Sequence, residues 1–159
     1  MKKFIILSCT LFFAIFGFGQ KQVNKFNLLD NKGRKNGFWV EVEKGYKREA
    51  YYLNGVKNGI EKVYYRNGDL MAFTEYKMNQ PVNLSYNFHE DGYLTFSIKH
   101  LGMVKKDGVE MQKGFFTIYF PNGDVKESGI GLYKEGDEEL AEEIRIGEWK
   151  KFTSPAVSH

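Results

Sequence analysis

The chain has 159 residues, 42% of them apolar and 16% aromatic, with 17 Gly, 3 Pro and a single Cys. That is one modest domain's worth of sequence, and it excludes a disordered, collagen-like, disulfide-rich or multi-span membrane protein. The formal charge of +3 is too small to argue for nucleic acid.

Residues 1–19 begin Met1-Lys2-Lys3, continue with an apolar run from Phe4 to Phe18, and close on Gly17-Phe18-Gly19 before the polar Gln20-Lys21-Gln22. A basic start, a short apolar stretch and small residues at a cut are the parts of a secretory signal peptide, so cleavage is expected after Gly19. A membrane anchor would need roughly 20 apolar residues, and Ser8, Cys9 and Thr10 interrupt this run. Lipoprotein processing at Ser8-Cys9 would come too early, leaving Leu11 to Phe18 as an unused apolar tail. The expected product is exported, periplasmic or secreted. It lacks the only Cys and carries a net charge of +1. Without disulfides it must be held together by buried aromatic surface.

After a lead-in over residues 20–31, internal repetition governs residues 32–153, and 154–159 form a tail. Tyr64-Tyr65-Arg66-Asn67-Gly68-Asp69-Leu70 returns as Phe88-His89-Glu90-Asp91-Gly92-Tyr93-Leu94 after 24 residues, and as Tyr119-Phe120-Pro121-Asn122-Gly123-Asp124-Val125 after a further 31. The seven extra residues fall between Ser97 and Gly114, where Gly102 and Asp107-Gly108 signal loops. Asn-Gly and Asp-Gly suit two-residue hairpin turns, so three hairpins are expected at Asn67-Gly68, Asp91-Gly92 and Asn122-Gly123. Asn54-Gly55 and Asn58-Gly59 are expected to connect hairpins. No room remains for crossover helices. The fold class is therefore all-β: an elongated antiparallel meander of stacked β-hairpin repeats, period about 24 residues, forming an open single-layer sheet.

Alternation along the strands defines two sets of side chains. One holds Phe38, Val40, Val42, Ile60, Lys62, Tyr64, Leu84, Tyr86, Phe88, Phe115, Thr117 and Tyr119. The other holds Trp39, Glu41, Glu61, Val63, Tyr65, Ser85, Asn87, His89, Phe116, Ile118, Phe120 and Trp149. The first is more apolar and is expected on the better-buried face. The aromatics of the second, Trp39, Tyr65, Phe116, Phe120 and Trp149, are the candidate interaction surface, since an aromatic-rich second face implies a cover or a partner.

The unit Gly-x-Trp-x-x-Tyr-Tyr-x-Asn-Gly-x-Leu, followed by Tyr-x-Asn-Gly-x-x-Asn-Gly, resembles the bacterial variant of the MORN repeat found in toxin–antitoxin-associated antitoxin proteins. The likeness spans residues 32–152 and is strongest at Tyr51 to Tyr76 and Phe115 to Val125. Met78 to Asn83 departs by losing both glycines, and Lys44-Gly45 shortens the first unit. The resemblance implies stacked hairpins used for protein or membrane-surface contact. An antitoxin or immunity role is the alternative it suggests, although a cytoplasmic neutraliser would not need a signal peptide.

Catalytic signatures are missing from the sequence. The chain beyond Gly19 has no Cys, no Gly-x-Ser-x-Gly, and no Ser beside a plausible His. His89 replaces Tyr65 and Phe120 of the sister repeats, and His100 replaces Tyr52 and Tyr76, so both are expected as strand residues rather than ligands. Gly129-Ile130-Gly131 lacks the following helix that a phosphate cradle requires and is expected to mark a bulge or a close backbone approach. The acidic run Glu135 to Glu143 lacks calcium-loop spacing and is expected to be solvated. The expectation is a non-enzymatic module with no cofactor or metal and a protein partner, with no nucleic acid involved.

Overall fold

The computed structural model describes residues 26–134 and 145–153. The leader, the acidic run and the tail lie outside the described residues. The described chain is one open sheet of ten antiparallel strands, in sequence order from edge to edge. These are β1 (Leu28–Leu29), β2 (Lys35–Glu43), β3 (Tyr46–Leu53), β4 (Val56–Tyr64), β5 (Leu70–Lys77), β6 (Gln80–Phe88), β7 (Leu94–Lys106), β8 (Val109–Tyr119), β9 (Val125–Tyr133) and β10 (Arg145–Lys151). The sheet therefore begins inside the segment expected as a lead-in. The seven extra residues lengthen β7 and β8 into one longer hairpin, and Gly102 is a bulge within β7 rather than a loop.

Two turn types divide the ends of the strands. Lys44-Gly45, Asn54-Gly55, Met78-Asn79 and Asp107-Gly108 are two-residue turns with both residues at positive φ, between 51° and 91°. The Asn67-Gly68, Asp91-Gly92 and Asn122-Gly123 pairs correct the expectation. Each ends a three-residue loop in which only the Gly has positive φ, at 94°, 86° and 90°. Tyr65 and Asp69 illustrate the closure: Tyr65 N–H donates to the Asp69 carbonyl at 2.9 Å, and Gly68 N–H to the Tyr65 carbonyl at 3.0 Å. This is a tight turn followed by a left-handed residue. Asp30 to Arg34 forms a fourth loop of the kind, with Gly33 N–H on the Asp30 carbonyl at 3.0 Å. Asn58-Gly59 joins nothing. It is a bulge inside β4, where Ala50 pairs with Glu61 and Tyr52 with Lys57.

The register fixes two faces. On the first lie the pairs Phe38–Tyr51, Ile60–Glu75, Leu84–Lys99, Lys99–Phe115 and Phe115–Ile130, with bulges breaking the register between Tyr51 and Ile60 and between β5 and β6, where Glu75 pairs with Val82. On the second, a row runs through Trp39, Ala50, Glu61 and Thr74, and continues through Ser85, Ile98, Phe116 and Gly129. The expected burial is reversed. Ala50, Glu61, Ser85, Ile98 and Phe116 of the second face are buried, whereas Tyr51, Ile60, Leu84 and Phe115 of the more apolar face are 39–50% exposed. A single layer has no second layer to bury its apolar side. Burial comes instead from rings lying across small neighbours on the same face. Gly129 shows why: a Cβ there would come within 2.5 Å of the Trp149 ring.

Candidate functional site

The second face carries the expected interaction residues, and the structure ties most of them into the sheet. At one end, Trp39 Nε1 donates to the Leu28 carbonyl at 3.1 Å, and the Lys35 ammonium lies 4.9 Å from the Trp39 ring and 4.8 Å from that of Tyr52. At the other end, Trp149 Nε1 donates to the Ile130 carbonyl at 3.0 Å, and Arg145 covers its ring at 4.4 Å. Arg145 also grips the buried Glu127 carboxylate with two N–H groups, at 2.9 and 3.1 Å. Tyr65 donates its hydroxyl to the Phe88 carbonyl at 2.8 Å. Burial raises its phenol, and Glu90 adds to the shift. Phe120 is half-buried at the root of the Pro121-Asn122-Gly123 loop.

Phe116 requires a correction. It is 1% exposed, stacked against Trp149 at 6.1 Å and edge-on to Tyr133 at 5.8 Å, so it is a core residue and offers no contact surface. The structure brings Phe116 and Trp149 together, places Tyr65 and Phe120 beside loops on one side of the sheet, and leaves Trp39 near the far edge.

Between the two tryptophans the second face buries Ala50, Tyr76, Ile98 and Phe116 together with polar groups. Glu61 is buried, with Oε1 at 3.0 Å from Lys57 Nζ and 3.3 Å from Arg48 Nε. The Lys57 ammonium also sits 4.4 Å from the Tyr76 ring. Lys57 and Tyr76 repeat what Lys35 and Tyr52 do one repeat earlier.

His100 stands where Tyr52 and Tyr76 stand, and the register brings it a serine that the linear sequence did not reveal. Its Nε2 is 2.6 Å from Ser85 Oγ and its Nδ1 is 2.6 Å from the Tyr133 hydroxyl. Both nitrogens are thus engaged, each with a hydroxyl that can donate or accept. Burial pushes its pKa down to about 4. A Ser–His contact is the first half of an activated nucleophile, but the third member here is a phenol and not a carboxylate, the base is weak, and Ser85 is 4% exposed. The chemistry of this trio is to lock β6, β7 and β9 together. The register pairs Ser85 with Ile98, two residues before His100; that pairing was the signal that could have found it.

His89 occupies the Tyr65 and Phe120 position, stacks on Tyr93 at 4.7 Å and accepts the Asp91 N–H at 3.2 Å, closing its own loop. Among the described residues no three His, Cys, Asp or Glu side chains gather as a metal site.

The first face differs. Glu49 and Tyr64 are bonded at 2.9 Å and Lys47 lies 2.9 Å from Glu49, whose carboxyl these contacts hold low, the Lys47 hydrogen bond contributing most. Tyr51, Ile60, Leu84 and Phe115 stay open.

No protein-family model matches the chain, and no curated protein matches it. The likeness to MORN-type repeats therefore rests on the residues quoted above.

Proposed function

We propose that this is an exported, non-catalytic repeat protein of MORN-like type whose role is to present its sheet to another protein. One observation carries this reading. A sheet with no second layer keeps its more apolar face uncovered, with Tyr51, Ile60, Leu84 and Phe115 at 50%, 41%, 40% and 39% exposure, and with Glu75 beside Ile60 and Lys99 between Leu84 and Phe115. Large apolar side chains left exposed together on one face of a folded chain mark an interaction site. Val42, at 73%, extends it toward the Lys44-Gly45 turn. The contact surface therefore moves from the second face, where the aromatics donate to backbone carbonyls, to the first.

The test is association measured on variants of each face. Ile60→Glu and Leu84→Glu are expected to abolish association that Trp39→Ala and Phe120→Ala leave intact. Loss only in the Trp39 and Phe120 variants would return the contact to the second face, and loss in neither set would contradict the reading. Export is tested by N-terminal sequencing of protein from the cell envelope and medium. A new terminus at Gln20 is expected, and an intact Met1 confined to the cytoplasm would contradict it.

A further inference from the structure

We infer that the long β7–β8 hairpin supplies the charged part of the first-face contact, and that what docks there is an acidic segment of another protein with apolar side chains among its carboxylates. This rests on the reading that the first face is the contact surface, and it names the partner's chemistry. The β6–β7 ladder ends at Leu84–Lys99 and the β8–β9 ladder at Gln112–Tyr133, whereas β7 and β8 stay paired out to Lys106–Val109. The seven extra residues of this repeat therefore build an arm whose strands have only each other in the ladder.

Alternation along β8 puts Val109, Met111 and Lys113 on the face of Phe115. The register sets Lys106 opposite Val109, Val104 opposite Met111 and, beyond the bulge at Gly102, Lys99 opposite Phe115. Lys99, Lys106 and Lys113 thus share the first face of the arm with apolar side chains, and no carboxylate of either strand stands among them. Val109 and Phe115 are 42% and 39% exposed there.

The imbalance of charge is local. In the first repeats Lys47 lies 2.9 Å from Glu49, and Lys62 stands opposite that same Glu49. On the second face of the arm Lys105 stands opposite Glu110. Lys99, Lys106 and Lys113 have no ion-pair partner among the described residues. Three like charges on one side of a hairpin repel one another, and a bound carboxylate removes that cost. Measured along β8, Lys106 is level with Val109, Lys113 comes next and Lys99 is level with Phe115, a stripe of roughly 20 Å at the usual rise per residue. A chain of carboxylates alone would leave Val109 and Phe115 uncovered, so the complementary segment is acidic and apolar together.

The experiment is fluorescence anisotropy of the full chain with a fluorescein-labelled peptide of alternating glutamate and valine, with polyglutamate and lysine–valine peptides of equal length as controls. Saturable binding of the glutamate–valine peptide is expected, weakening about 10-fold as ionic strength rises from about 0.05 to about 0.5 M. Lys99→Glu, Lys106→Glu and Lys113→Glu, each with an unchanged β-sheet circular dichroism spectrum, should raise the dissociation constant about 5-fold or more. Val109→Ser should raise it about 3-fold, and Lys105→Glu on the other face should leave it within about 2-fold. No binding at about 1 mM peptide, equal binding of the lysine–valine peptide, or arm variants that bind as wild type would each overturn the proposal. Phosphatidylglycerol vesicles bound with the same lysine dependence, while the peptide is not, would overturn it in favour of a lipid surface. Binding that emerges only when the carboxylates from Glu135 to Glu143 are replaced by amides would overturn it by making the chain's own acidic run the occupant. Loss in Ile60→Glu but in none of the arm variants would overturn this inference while leaving the first face as the contact surface.

Discussion

Phe115 and Phe116 are neighbours in the chain with opposite fates. Phe116 is 1% exposed and Phe115 is 39% exposed, because successive strand residues point to opposite faces and the two faces bury their rings by different means. The second face mixes sizes. Trp149 lies over Gly129, and Ile98 and the Phe116 ring crowd the place where a Cβ on Gly114 would sit. The first face sets large beside large: Phe38 against Tyr51, Phe73 against Tyr86, Leu84 beside Lys99. Rings on that face meet their neighbours at a tilt and Lys47 lies 4.2 Å over the Tyr64 ring, yet Tyr51 and Phe115 stay exposed. Apolar content alone does not decide which side of a single-layer sheet becomes the core; the placing of small residues does.

The sharpest way to break this comparison is to truncate both rings. Phe116→Ala should lower the unfolding free energy by about 3–4 kcal/mol through loss of contacts and a cavity beneath Trp149. Phe115→Ala, measured on dilute protein so that association does not contribute, should cost about 1 kcal/mol. Urea denaturation gives both numbers, and equal losses would erase the distinction between the faces.

A smaller effect separates the faces by pH. His100 titrates near 4 in the fold against about 6.5 in the unfolded chain. Between those values the unfolded chain binds a proton that the folded one does not, so stability falls as pH drops from about 6.5 to 4, with a total loss of about 2 kcal/mol after allowance for partial solvent screening. His100→Gln should flatten that part of the profile relative to wild type. Comparing urea midpoints at pH 7 and pH 4.5 checks it, and parallel profiles would show that the Ser85–His100–Tyr133 contact contributes nothing to the second face.

The smallest effect belongs to neither face. Met78 holds φ at 52° in the turn before β6, with its side chain 61% exposed. Met78→Asn should raise stability by about 0.5–1 kcal/mol, since Asn tolerates the left-handed region better. A midpoint shift with unchanged denaturant dependence is expected, and any change in association would mean that the turn between β5 and β6 is coupled to the open face.

The meander and its alternation were legible because the repeated Asn-Gly and Asp-Gly pairs punctuate the chain every 24 or 31 residues. Turn type was less so. The same dipeptide suits a two-residue turn, as at Asn54-Gly55, and a three-residue loop, as at Asn67-Gly68, and only the pairing of Tyr65 with Asp69 separates the two. Met78-Asn79 shows the converse: a two-residue turn persists after both glycines are lost, because Asn79 N–H reaches the Lys57 carbonyl at 2.9 Å and its side chain accepts the Lys57 N–H at 2.6 Å. The face assignment failed for the reason given by Phe115 and Phe116. Nor could the contact of Ser85 with His100 be read without the register, since the two stand 15 positions apart with a loop between them.

Hydroxyl-radical footprinting on dilute protein tests the central claim most directly, because it reads both faces in one sample. Tyr51, Leu84 and Phe115 are expected to label rapidly while Phe116, Ile98 and Tyr76 stay protected. Rapid labelling of Phe116 alongside Phe115 in the folded protein would contradict the account.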